Sequence, residues 1–294
     1  MNKIIPRDKI KHLEWSNSQD ILETKPPESN ARLKIDTTNL VGRLLSDGKE
    51  FFDDSKVDGK WVGVQYALKS VVGYVGEDGI IASMPLYIAS KIEADKDHSL
   101  WKKWFTTYSE ELVGVDTEGT LGNKGEAIVV TVHGGGILTP DRIRQAYKEG
   151  LNDRNAARLS QDEFNSILSK RATYSVDSLK HTKLVKPFDR YITYLSLEEA
   201  KTTNSGYQER SQFLNNPLII ARNGGTQNLE AYFDKAKGSG SKVGNWHRLK
   251  DINQTEPSGR LLFLYSGING LVGDCDLNIN GRFLGVAPEA RAKK

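Results

Sequence analysis

Apolar positions thicken from Leu33 onward, and their spacing marks out the elements of the chain. Ala127–Val132 is an unbroken apolar, β-branched run, the pattern of a strand buried on both faces. Four residues, His133-Gly134-Gly135-Gly136, follow it. Thr139, Pro140 and Asp141 then announce a helix with Ile143, Ala146, Tyr147 and Leu151 on one face. Ser160 and Glu163 form a capping box ahead of Phe164, Ile167 and Leu168, and Ser196 with Glu199 does so after the aromatic run Phe188–Leu195. Leu100, Trp101, Trp104, Phe105, Tyr108 and Leu112 recur at helical intervals and predict a helix over 99–112. The stretch Trp61–Val75 is ambiguous, because its apolar spacing is helical while its glycines and β-branched residues favour strands.

In the last third, Leu218–Ala221 reads as a strand and Asn223-Gly224-Gly225-Thr226 as a turn. Leu229, Tyr232, Phe233 and Ala236 then make a helical stripe. Gly238-Ser239-Gly240-Ser241 reads as a surface loop, Arg260–Tyr265 as a strand, and Asn280-Gly281 as a type I′ hairpin turn. This order predicts an α/β or α+β fold, with a mixed sheet flanked by helices and a C-terminal β-hairpin. Residues 1–32, polar and carrying Pro26-Pro27, read as an extended arm. Residues 33–294 read as the globular region, with room for two lobes divided near 155.

Composition narrows the function classes. The chain has 294 residues, 37% hydrophobic and 27% charged, enough to bury a sizeable core and too apolar for wholesale disorder. Lys and Arg number 41 against 38 Asp and Glu, with the signs interleaved, which argues against nucleic acid as a partner. The longest apolar stretches, near 62–75 and 80–92, are broken by Lys69, Gly73, Pro85 and Lys91 and fall short of a membrane span. No apolar leader is visible in MNKIIPRDKIKHLEW, so the expected compartment is the cytoplasm. The single cysteine, Cys275, excludes an intrachain disulfide, and its flanking aspartates disfavour the reactive thiolate.

Two patterns are candidates for chemistry. The first is the pair of glycine turns, VVTVHGGGILTPDRI and LIIARNGGTQNLEAY, each read as strand, glycines, helix. Glycines let backbone N–H groups approach a ligand, and a helix N-terminus favours an anion such as phosphate. Gly134, Gly135, Gly136, Asn223, Gly224 and Gly225 are therefore the candidate ligand contacts, with His133 as a candidate general base at a strand's carboxyl end. The spacing matches neither the dinucleotide fingerprint nor the P-loop. Over four residues, His133–Gly136 resembles the HGGG oxyanion loop of some lipases and esterases and the glycine loop of some ADP-ribose-binding macro domains. A G-x-S-x-G elbow and an asparagine-rich strand end are both missing, so neither family is assigned.

The second pattern is Asp274-Cys275-Asp276-Leu277-Asn278-Ile279-Asn280-Gly281. Counted from Asp276 it follows the first half of an EF-hand-type loop, making Asp274, Asp276, Asn278 and Asn280 candidate calcium ligands. Position twelve is Ala287 where a glutamate belongs, and a hairpin explains the same residues. Asn245-Trp246-His247-Arg248 is a further polar-aromatic cluster, suited to stacking on a base or sugar or to anchoring a loop. The expectation is a protein that binds a phosphate-bearing or anionic small molecule at the glycine turns, as an enzyme or otherwise. The alternative is a non-catalytic structural or assembly protein, homo-oligomeric through its arm, with a weak calcium site.

Overall fold

A strand meander organises the computed structural model, which describes residues 39–180, 189–237, 240–252, 256–265, 270–272 (backbone alone) and 276–288. Residues 1–32, Gly238, Ser239, Asp274, Cys275 and residues 291–294 lie outside the described residues. Glu126–His133 pairs antiparallel with Phe105–Asp116 on one side and with Tyr191–Ser196 on the other. Ala172–Ser175 adds parallel to Tyr191–Ser196, and Ser258–Tyr265 adds antiparallel to Phe105–Asp116. Beyond Ser258–Tyr265 come Gly270–Val272, antiparallel, then Lys242–Trp246, parallel, and Gly206–Glu209 as the edge. The sheet is therefore mixed and flanked by helices.

Both faces of the central strands are covered, which is why those strands read as apolar runs. Val113, Val129, Leu195, Leu262 and Leu264 pack with the helices Met84–Glu93, Pro217–Asn223 and Leu229–Ala236. Leu112, Ile128, Val130, Val132 and Ile192 pack with Gly63–Val75, Pro140–Glu149 and Gln161–Leu168. Each fully buried Val, Leu or Ile contributes about 1.5–3 kcal/mol of transfer free energy. A smaller sheet places Gly281–Val286 between Lys49–Asp53 and Ile80–Ile81, antiparallel to both.

Local signals hold. Thr139 accepts from the Arg142 amide at the head of Pro140–Glu149, both halves of the Ser160–Glu163 box form, and Ser196 accepts from the Glu199 amide. The ambiguous stretch is a helix, Gly63–Val75.

Three expectations are corrected. The predicted helix over 99–112 is a short turn of helix, Ser99–Lys102, followed by the strand Phe105–Asp116. Its aromatic spacing mimicked a helix because nearly every strand position is buried, so no period-two alternation showed. Leu218–Ala221 is no strand but the middle of the helix Pro217–Asn223, in which those four residues are buried all round. Asn216 caps it by accepting from the Leu218 and Ile219 amides. Asn280-Gly281 is not a type I′ turn: Asn280 is not left-handed, and Gly281 begins a strand paired with Lys49–Asp53. The C-terminal hairpin is formed earlier in the chain, by Ser258–Tyr265 and Gly270–Val272.

Candidate functional site

At the first glycine turn the strand ends on His133, and Gly134 and Gly135 adopt left-handed φ of 78° and 83°. Both of their amides donate to the Tyr108 carbonyl, at 3.0 and 2.8 Å. The next amides converge on a carboxylate of the protein itself. Ile137 N donates to Glu110 Oε2 at 2.9 Å and Leu138 N to Oε1 at 3.0 Å, with the Gly136 amide beside them. A Cβ at Gly135 would lie 2.3 Å from the Tyr108 ring, and one at Gly136 would lie 2.5 Å from Glu110 Oε2. The glycines thus admit two side chains of the neighbouring strand, and the anion in the turn is internal. Burial pushes the Glu110 carboxyl up to about 7, against the opposing pull of the Ile137 and Leu138 amides.

His133 lies fully inside the core. Its Nε2 is 3.1 Å from the Ala221 carbonyl and its Nδ1 is 3.0 Å from Ser109 Oγ. A carbonyl only accepts, so Nε2 carries the proton and Nδ1 accepts from the serine hydroxyl. Burial takes the ring's pKa down to about 3, so it is neutral at ordinary pH. Nε2 thus joins the sheet to the helix Pro217–Asn223, and Nδ1 ties two neighbouring strands of the sheet together.

The second glycine turn ends that helix. Gly224 is the left-handed cap at φ 72°, its amide bonded to Ala221 O and that of Gly225 to Ile220 O. A Cβ at Gly224 would fall 1.7 Å from Tyr191 Oη. Asn223 is buried and donates Nδ2 to Gly225 O at 2.6 Å, while its Oδ1 has no partner among the described residues. The fold does bring the two turns together, because Tyr191 stacks beside His133, ring centres 4.7 Å apart, and reaches Gly224. What meets there is core packing with amides turned inward.

The aspartate-asparagine loop acts as a staple. Asp276 Oδ2 accepts from Asn155 Nδ2 at 3.0 Å, Asn278 Oδ1 accepts from the Trp61 amide at 2.7 Å, and Tyr147 Oη donates to Leu277 O at 2.7 Å. Asp274 lies outside the described residues. Among the described residues, no group of three or more His, Cys, Asp or Glu is placed to hold a metal.

A surface with exposed aromatic rings crosses the edge of the large sheet. Tyr207 is opposite Gly244, Gly244 is opposite Gly270, and Gly270 is opposite Tyr265, one lateral row over four strands. Directly paired residues share a face, so both tyrosines project the same way, 55% and 43% exposed. Trp246, two residues on from Gly244, folds its indole over that glycine, where a Cβ would be 1.8 Å away. Tyr207 meets the indole edge-on, ring centres 5.3 Å apart. In the adjoining row Phe263 stacks on Trp104, which touches the exposed Phe52, with Arg282 over both outer rings.

A buried ion pair anchors this strip from behind. Arg222 donates Nε and Nη2 to Glu111 Oε2 at 2.9 and 2.7 Å. Its Nη1 donates to Asn245 Oδ1 at 2.6 Å and to the Trp246 carbonyl at 3.0 Å. Trp246 belongs to the polar-aromatic cluster marked out by the sequence. Tyr207 and Tyr265 do not stand out there, since only the strand register brings them into line.

No family model and no curated protein matches the chain. Among solved structures, one described as "Accommodation of massive sequence variation in Nanoarchaeota by the C-type lectin fold" superposes with a TM-score of 0.63. It is 28% identical, over 81% of this chain and 97% of that one. This chain is therefore similar in fold to a C-type lectin-fold structure along most of its length.

Proposed function

We propose that this chain is a non-catalytic recognition protein, and that it binds another protein through the strip formed by Tyr207, Trp246 and Tyr265. The carrying observation is the register row Tyr207–Gly244–Gly270–Tyr265, which sets two exposed tyrosines on one face with the Trp246 indole laid over Gly244 between them. Small-molecule sites are concave, whereas exposed aromatic rings standing on a sheet face suit a macromolecular surface. Tyrosine and tryptophan give large contact area at low conformational cost, and they dominate protein-binding faces for that reason. The internal commitments of the glycine-turn amides and of His133 favour the strip over those turns. Likeness to a C-type lectin-fold structure described as accommodating massive sequence variation supports the same reading, because a binding face held by a rigid scaffold tolerates change.

The test compares the wild-type chain with a Tyr207→Ala/Tyr265→Ala variant on an array of folded proteins. Both rings are largely solvent-exposed, so the melting temperature is expected to stay within about 3 °C. At least one protein is expected to bind the wild type and to lose tenfold or more on the variant. An array on which every bound protein holds both forms equally, or on which none binds, sinks the proposal.

A further inference from the structure

A cavity of about 100 Å³ opens where the end of the helix Gly63–Val75 faces the first glycine turn, beside strands other than those that carry Tyr207, Trp246 and Tyr265. Its walls are of two kinds. Val72, Val75, Ile80 and Ile81 supply an aliphatic side, and Tyr108 and Arg190 supply a polar one. The stem of Arg190 passes close over the turn, within 3.0 Å of where a Gly134 Cβ would stand, so the glycine admits the arginine to this place. Arg190 is exposed and has no ion-pair partner among the described residues. Arg171, which donates to the His133 carbonyl, is a second positive charge that acts on Tyr108, although it does not line the cavity.

We infer that this cavity is a binding site for a short aliphatic carboxylate, held by Arg190 at its head and by the valine and isoleucine wall along its tail. The volume has room for about half a dozen non-hydrogen atoms. Inorganic phosphate satisfies the guanidinium and leaves the apolar wall wet. An alcohol of the same length fills the wall and leaves the cation without a counter-charge. An amine is repelled. Only a molecule with both an anionic head and a short hydrocarbon tail answers both sides, since a guanidinium pairs with a carboxylate through two parallel N–H donors. The inference is independent of the proposed protein-binding strip and survives or fails by itself.

Calorimetric titration of the full chain with butyrate, butan-1-ol, butylamine and inorganic phosphate tests it. Butyrate is expected to bind saturably and at least tenfold tighter than each of the other three. Arg190→Gln, at an exposed position, is expected to weaken butyrate at least tenfold with an unchanged melting temperature. Val72→Phe, which fills the apolar side, is expected to do the same. Phosphate binding as tightly as butyrate, butyrate binding equally to Arg190→Gln, or no saturable butyrate binding each overturns the assignment.

Discussion

Glu110 and His133 sit on neighbouring strands in the same region of the core, and their protonation works in opposite directions. Glu110 titrates near 7 when folded against an ordinary 4.5, so the stability linked to it is fully present below about 4.5 and is lost as pH rises through about 7. His133 titrates near 3 when folded against an ordinary 6.5, so its contribution is present above 6.5 and is lost as pH falls towards 3. Between pH 4.5 and 6.5 each changes stability by about 1.4 kcal/mol per pH unit, with opposite sign, and the two nearly cancel. His133→Gln is expected to leave a chain whose urea midpoint rises on acidification from 6.5 to 4.5, relative to its own value at 6.5. Glu110→Gln is expected to fall more steeply than wild type over the same range. Parallel curves for the two variants contradict this assignment. The glycines divide by the same kind of reasoning. Gly135→Ala meets both a left-handed φ and the Tyr108 ring and is expected to cost about 3 kcal/mol. Gly125→Ala has a φ of 85° with no atom in its way, and about 1 kcal/mol is expected in denaturant melts.

At the scale of elements, helix caps were legible because they are local. Thr139, Ser160 and Ser196 do their work within three residues, and no distant packing overrides them. Pro217–Asn223 escaped because a helix buried on every side shows no period, although Asn216-Pro217 carried the start signal. Phe105–Asp116 escaped for the corresponding reason in a strand. The glycine turns were visible as turns, but the occupants of the first, Tyr108 and Glu110, come from an adjacent strand that sequence spacing placed in a helix. The Asn216 side chain is committed at both ends of its amide. Its Oδ1 takes two amides and its Nδ2 donates to the buried Gln208 at 3.1 Å, so Asn216→Ala is expected to cost about 2 kcal/mol. Asn216→Asp, which keeps the acceptor, is expected to recover part of that loss in the same unfolding experiment.

For the whole molecule, the buried Arg222–Glu111 pair is one point where the helical layer grips the sheet behind the aromatic strip. Arg222→Met leaves a buried carboxylate alone and is expected to cost about 3–5 kcal/mol, whereas removing both charges in Arg222→Met/Glu111→Leu is expected to restore much of it. A double variant no more stable than the single one places the loss in packing and not in charge. No helix among the described residues is long and apolar enough to cross a membrane. The small sheet has a different kind of consequence. Gly281–Val286 lies between Lys49–Asp53 and Ile80–Ile81, and Arg43 reaches the Ala287 carbonyl across 244 residues of sequence. A chain emerging from the ribosome therefore makes its first strands and the helix Gly63–Val75 long before the strand that covers them exists. Its contact order is raised by this one pairing, and closing so large a loop slows the search for the native state. During synthesis the open edge of Lys49–Asp53 is a place where a second nascent chain can pair instead.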